Sequence, residues 1–265
     1  MPGAKKAVII GAGIGGLSVA ALLAKHGFRV TVVEKNEQSG GRARVYKKDG
    51  FVFDMGPSWY LMPDVFARYF ELFDKKPEDY YTLKRLDPNY RIFFGADKKI
   101  DIPARRQDLI PLFDSMASEG GRKLEEYLAH AKEQYDIAMQ EFMYRDYTSI
   151  FNFFSWRFVT RGSKLRILEN IDAFVSRYFA DEDIRKIFEY TMVFLGGSPQ
   201  NTPALYAIMS HVDLDLGVWY PNGGMGMLVR ALQGLGEQYG VEFIFNKPVR
   251  QIEVNEHGRA CAVIT

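Results

Sequence analysis

Hydrophobic and polar positions change period three times within the first thirty-four residues. Ala7, Val8, Ile9 and Ile10 form an unbroken apolar run, the pattern of a short buried strand. Leu17 to Lys25 then carries apolar residues at helical spacing and stops at Gly27, and Val30 to Val33 is a second apolar run that ends at Glu34. Strand, turn, helix and strand are therefore predicted in that order. Gly11, Gly13 and Gly16 occupy the turn in the spacing G-x-G-x-x-G. There the first glycine permits the bend, the second lets backbone approach a pyrophosphate, and the third lets the helix pack closely on the strand. Unpaired N–H groups and the positive end of the helix dipole favour an anion at the same place. Glu34 stands where a carboxylate accepts ribose hydroxyls, which makes a dinucleotide site the reading of the whole unit. The alternative is a glycine-rich turn with a structural task alone. A signal anchor is also conceivable, since Ala7 to Ala24 is uncharged and follows Lys5 and Lys6, but its glycines weaken such a segment.

Further along, Val45 to Lys48 and Phe51 to Asp54 flank Asp49-Gly50, a hairpin signal. Helical spacing is predicted over Met62 to Phe73, and short strands over Tyr80 to Leu86, Tyr90 to Phe94 and Lys99 to Ile102. Leu109 to Glu119 and Lys123 to Met143 read as helices separated by Gly120-Gly121. Leu165 to Phe179, Asp181 to Phe194 with an acidic cap at Asp181, and Pro203 to His211 continue the helical pattern. His211 has no polar partner in sight and reads as a structural histidine. A helix over Met225 to Tyr239, ending at Gly240, precedes strands over Val241 to Phe245 and from Val249, and the last strand starts at Ala260.

With 265 residues, 47% of them hydrophobic and 14% aromatic, the chain can bury a large core as one domain or two interleaved ones. A formal net charge of +1 gives no whole-chain reason to expect nucleic acid. Cys261 is the single cysteine and the four histidines are scattered, so no disulfide within the chain and no metal site is expected. A reducing, cytoplasmic setting fits. Aromatic residues concentrate in Phe142-Met143-Tyr144 and Ile150 to Val159, flanked by Arg145, Arg157, Arg161 and Lys164. That stretch is too short and interrupted to span a bilayer, and it suits either a membrane-interface segment or a lid packed inside the domain.

The fingerprint, Glu34 and then Gly40-Gly41-Arg42-Ala43-Arg44 resemble the FAD-binding start of the amine oxidase and phytoene desaturase superfamily. Phe53-Asp54-Met55-Gly56-Pro57, the Gly196-Gly197-Ser198-Pro199 segment before a helix, and Trp219 to Met225 with Gly223-Gly224 are similar to segments of bacterial-type phytoene desaturases. The resemblance implies an α/β fold: a Rossmann-like FAD-binding domain over residues 1–60 and 221–265, interrupted at 61–220 by a largely helical, substrate- and membrane-associated region. The family's C-terminal part, with its glycine-rich flavin-closing segment, has no counterpart in these residues, so the chain is expected to represent the N-terminal half of such a protein. The implied cofactor-binding residues are Gly11, Gly13, Gly16, Glu34, Lys35, Gly41, Arg42, Gly56, Pro57, Ser58 and Val249, with Trp219 and Tyr220 suited to an apolar wall or to sheet core. No catalytic residue is assigned.

The implied activity is FAD-dependent desaturation of a carotenoid precursor such as phytoene, with hydride transfer from an allylic carbon to flavin N5. The implied partners are a hydrophobic polyene, a membrane surface bound peripherally from the cytoplasm, and quinone or oxygen as electron acceptor. Alternatives within the chemistry are a squalene or diapophytoene desaturase, a carotenoid isomerase or saturase and, more remotely, an amine oxidase. Outside it stands a GDI-like protein that binds prenyl lipids without catalysis.

Overall fold

The structure is a computed structural model that describes residues 5–144, 148 and 162–265. It divides into two compact units, one discontinuous, Met1–Lys84 with Trp219–Thr265, and one continuous, Arg85–Val218.

The discontinuous unit opens with β1 (Lys6–Ile10), α1 (Ile14–Lys25) and β2 (Arg29–Val33). β1 and β2 pair in parallel from Lys6↔Arg29 to Ile10↔Val33, and β9 (Glu242–Ile244) joins β2 in parallel from Thr31↔Glu242 to Val33↔Ile244. The strand order is therefore β1-β2-β9, with the helix between β1 and β2 as their crossover. Val30 and Val32 are wholly buried beside Leu17, Ala20 and Ala21 of α1 and Leu228, Leu232 and Leu235 of α8 (Gly226–Gln238). The alanines let α1 lie close against α8, which contributes the leucines.

β3 (Val45–Lys48) and β4 (Phe51–Asp54) form an antiparallel hairpin in the register Val45↔Asp54 to Lys48↔Phe51. Both turn residues have positive φ, 50° at Asp49 and 83° at Gly50, as a tight two-residue turn of this hand requires. Its tip is notably apolar for a surface element, with Phe51, Val52 and Phe53 exposed. α2 (Pro63–Glu71) is shorter than its apolar pattern, because Leu72 and Phe73 continue in a looser turn. Residues 61–84, which the sequence places with the inserted region, pack in the core of the discontinuous unit: Phe70, Phe73 and Tyr81 join the cluster that holds α1 and α8. Near the end of the chain β10 (Gln251–Val254) and β11 (Ala260–Ile264) pair as a second antiparallel hairpin.

The continuous unit begins at the last residue of β5 (Leu83–Arg85) and continues with an antiparallel pair, β6 (Tyr90–Phe94) and β7 (Lys98–Ile102), its other regular elements among the described residues being helical. α3 (Arg106–Met116) and α4 (Gly120–Ile137) are separated by three residues. Gly120 and Gly121 start α4 instead of separating two helices at a loop. A side chain at Gly120 would overlap the Phe113 carbonyl oxygen, so the glycines set how closely the two helices join. The apolar run from Leu165 stays irregular until Asn170, whose Oδ1 accepts the Ala173 N–H at 2.8 Å and starts α5 (Ile171–Ser176). Asp181 caps α6 (Glu182–Glu189) as its sequence position predicts, accepting the Ile184 N–H at 3.0 Å. The core of this unit gathers Phe113, Tyr127, Phe174, Phe179 and Phe188, with the Phe179 and Phe188 rings stacked at 5.0 Å. Each such phenylalanine contributes about 2–3 kcal/mol of burial. α7 (Ile208–Ser210) leads into a wider turn over His211–Asp215, and β8 (Trp219–Pro221) returns the chain to the first unit. Residues 145–147 and 149–161, including most of the aromatic stretch singled out in the sequence, lie outside the described residues. Among the described residues no helix is long and apolar enough to cross a membrane.

Candidate functional site

The glycine turn is built as its spacing predicts. Gly11 bends the chain with φ of +95° while its N–H donates to the Val33 carbonyl at 2.8 Å, tying the turn to the end of β2. Gly16 lies against that turn, since a Cβ there would overlap the Gly11 carbonyl oxygen, so its absence is a packing requirement of the protein itself. Gly13 differs. A Cβ at Gly13 would meet nothing nearer than the Gly41 Cα at 4.0 Å. The fold leaves room at that residue, and the room opens on a cleft.

That cleft, of about 700 Å³, is lined by Gly13, Ile14, Gly15, Gly40, Gly41, Arg42, Ala43, Gly56 and Pro57. Its size falls within the roughly 300–1,000 Å³ usual for small-molecule sites. Three stretches distant in sequence are held together there by main chain. The Gly40 N–H donates to the Ala12 carbonyl at 2.7 Å, and Gly13 and Gly40 bridge in parallel. Gly41 stands so near Gly13 that a Cβ on it would come within 3.1 Å of the Gly13 Cα. Gly56 sits directly on the Arg42 carbonyl, where a side chain would overlap it. The Arg44 guanidinium bonds the Gly41 carbonyl at 2.9 Å, so it braces the loop, whereas exposed Arg42 has no hydrogen-bond or ion-pair partner among the described residues and is available to an anion.

Glu34 lies behind the turn, 5% exposed. Its Oε2 accepts the Ala12 N–H at 2.8 Å, and its Oε1 accepts the Asn36 backbone N–H at 2.9 Å and the Asn36 side-chain amide at 2.6 Å. Burial pushes its pKa up, but these donors outweigh burial and hold it below the usual carboxylate range, so it is ionised near neutrality. Of the other expected residues, Lys35 and Ser58 are exposed and Val249 is half-buried, and none of the three lines the cleft. Trp219 and Tyr220 do not line it either. Trp219 exchanges backbone bonds with Tyr60 at 2.8 and 3.0 Å, and the Tyr220 hydroxyl donates to Asp54 Oδ2 at 2.8 Å.

Asp54 is a structural key that the sequence did not disclose. Its Oδ2 also accepts the Met225 N–H at 3.0 Å and its Oδ1 the Gly226 N–H at 3.3 Å. A carboxylate from the end of β4 thus caps α8, and Gly56 sits two residues beyond it. Only the placement of acceptor and helix start, 171 residues apart, makes this visible.

In the continuous unit, Asp213 is buried and accepts the hydroxyls of Tyr190 at 2.8 Å and Tyr90 at 3.0 Å, both on Oδ2, while Oδ1 has no partner. Burial pushes its pKa up to about 7, with the two phenols holding it back. Glu189, half-buried, is also pushed up to about 7, by burial first and then by the nearby charge of Asp172. His211, for which the sequence showed no polar partner, has one four residues on: its Nδ1 lies 2.7 Å from Asp215 Oδ2, and its ring packs on Tyr135. Among the described residues no group of His, Cys, Asp or Glu side chains could hold a metal ion.

A model of the family described as flavin containing amine oxidoreductase matches residues 14–265. The chain belongs to that family. It is 45% identical over 251 residues to a carotenoid 3,4-desaturase from Haloarcula japonica, covering 94% of this chain and 51% of that protein. It is 35% identical over 270 residues to a zeta-carotene-forming phytoene desaturase from Myxococcus xanthus, covering 98% of this chain and 50% of that protein. The chain therefore spans about half the length of the curated relatives it matches. Among solved structures, an oxidoreductase from Methanosarcina mazei superimposes with a TM-score of 0.59 at 19% identity, over 98% of this chain and 55% of that one, a likeness of fold. A flavin is the cofactor that the family's description names, so FAD is the group against which the glycine turn is tested. The residues present fit it: room at Gly13, a wall of main chain, and an unpartnered guanidinium at Arg42.

Proposed function

We propose that this chain supplies the FAD-binding and inserted regions of a desaturase acting on a carotenoid-type polyene. The reading is carried by one observation, the cleft in which Gly13, Gly41, Arg42, Gly56 and Pro57 converge from three stretches of sequence. In this reading the N–H groups at the start of α1 and the Arg42 guanidinium bind the diphosphate, and Glu34 accepts from the ribose through the lone pairs that Ala12 and Asn36 leave over. Gly56, Pro57 and Ser58 border the ring, Val249 packs on the adenine, and Lys35 lies beside the ribose site. FAD, when bound, supplies the hydride acceptor for an allylic C–H bond, so the protein's share of the work is to bind, orient and exclude water.

The relatives named above act on carotenoids and phytoene, hydrocarbon chains that offer no group for polar recognition. Selection among such substrates then rests on the length and shape of an apolar chamber. A membrane surface bound from the cytoplasm would deliver so insoluble a molecule, and quinone or oxygen would take the electrons. No observation in this structure favours the prenyl-lipid carrier over the enzyme.

The test is a desaturation assay with the complete gene product, FAD and phytoene in vesicles, read by the visible absorbance of the conjugated product. Flavin-loaded protein that leaves phytoene colourless refutes the substrate. Protein that takes up no flavin refutes the site.

A further inference from the structure

The discontinuous unit holds a second cavity, separate in its lining from the glycine cleft except for Ala43. It has a volume of about 170 Å³ and is lined by residues of the segment after β2, of the β3–β4 hairpin and of α8. Three of its side chains are unexplained by the fold. Ser39 is 6% exposed, and its buried Oγ has no hydrogen-bond partner. Lys47 on β3 and Arg230 on α8 are exposed cations that have no hydrogen-bond or ion-pair partner among the described residues. No carboxylate lines the cavity, while Val45, Val52 and Val229 give it an apolar wall. Gly226 is what lets α8 come this close to β3, since a Cβ there would meet the Val45 Cγ2 at 2.5 Å.

A buried hydroxyl without a partner is costly and seldom tolerated unless something accepts from it or donates to it. Two cations border the same small cavity with no carboxylate in its lining, which gives it a positive rim suited to an anion. We propose that this cavity is a binding site for the oxyanion of a phosphate monoester. The Ser39 hydroxyl donates from the floor, Lys47 and Arg230 neutralise the charge from the rim, and the three valines receive the first carbons of the ester. At about 30 Å³ per water molecule the cavity holds roughly six waters, room for a tetrahedral oxyanion and a short carbon stub and not for a nucleotide. The site makes no use of the residues proposed to bind FAD, so its failure and the failure of the flavin reading are separable.

Inorganic phosphate and a short-chain phosphatidic acid are the two probes, because a soluble ester and a lipid headgroup present the same chemistry. Binding is measured by calorimetry and by phosphorus NMR in an Arg42→Gln background, which removes the guanidinium of the glycine cleft as a competitor. Millimolar or tighter binding of phosphate is expected, weakened about tenfold by Lys47→Gln and again by Arg230→Gln, the loss of one charge-assisted contact each. Ser39→Ala weakens it further. Both cations are exposed, so their replacement leaves circular dichroism unchanged and keeps the comparison independent of folding. Tighter binding of phosphatidic acid than of phosphate assigns the site to a lipid headgroup, and equal binding assigns it to a soluble ester. Absence of phosphate binding, or binding that both cation variants leave unchanged, overturns the proposal.

Discussion

Replacing Asp213 by asparagine should stabilise the protein relative to the parent progressively as pH rises from about 4 to about 7, and by a constant amount above that. In the fold the carboxyl is buried with one oxygen unpartnered and has a pKa of about 7, against 3.8 for the free group. The unfolded chain therefore releases this proton near pH 4, while the fold retains it to about pH 7. Across that window the unfolded state binds fewer protons than the native state, and the stability supplied by this group falls as pH rises, becoming constant above the folded pKa. A rise from 3.8 to about 7 corresponds to roughly 4 kcal/mol at about 1.4 kcal/mol per pH unit. Asparagine keeps an oxygen for the Tyr90 and Tyr190 hydroxyls and is neutral in both states, so it escapes that loss. Urea unfolding followed by circular dichroism, at intervals from about pH 4 to about pH 8, should show the Asp213→Asn variant gaining on the parent by about 2–4 kcal/mol across the range. Glu189 titrates in the same direction but is present in both proteins and cancels from the difference. A stability difference that stays constant with pH, or one that turns against the variant as pH rises, refutes the reasoning, because either would mean that Asp213 is ionised in the fold.

Gly13→Ala should leave thermal stability within about 0.5 kcal/mol, as expected of a site with room for a Cβ, yet weaken flavin binding as read by fluorescence quenching; Gly16→Ala should lose about 1–3 kcal/mol by overpacking. Equal losses of stability in the two variants would show that Gly13 serves the fold and not a ligand. Asp54→Ala removes the acceptor of the Met225 and Gly226 N–H groups and of the Tyr220 hydroxyl, and should destabilise by about 2 kcal/mol in urea unfolding, as for a lost cap. Glu34 has a lowered pKa, so its stabilisation is full above the ordinary glutamate range and is lost as pH falls through the folded pKa. Glu34→Ala should accordingly be less stable than the parent at neutral pH and draw level with it in acid, as followed by the unfolding midpoint.

Much of the first unit was legible because it is written in the residues themselves. Asp49-Gly50 can hardly sit anywhere but in a tight turn of positive φ, and the hairpin strands begin and end where the apolar pattern places them. G-x-G-x-x-G fixes its own turn for the same reason. Where the sequence misleads, a packing contact has overridden a local preference. Gly120-Gly121 reads as a break, yet Gly120 is the point where α4 meets the end of α3. The apolar residues after Leu165 read as helix, but Leu168 is 99% exposed and the α-helix begins only where the Asn170 side chain can cap. Asp54 and Asp213 are illegible in a stronger sense. Asp54 stands in a segment the sequence does single out, but neither aspartate's partners are local, and their tasks come from what the fold carries to them: a helix start in one case and two phenols in the other.

Five of the nine residues around the cleft are glycines, Gly13, Gly15, Gly40, Gly41 and Gly56. The part of that wall made of peptide groups cannot be weakened by trimming a side chain, only by adding atoms, which leaves Arg42 as its one charged side chain. In the proposed cofactor seat the main chain thus presents the same donors and acceptors whatever residue carries them, and a substitution acts there through the space it fills.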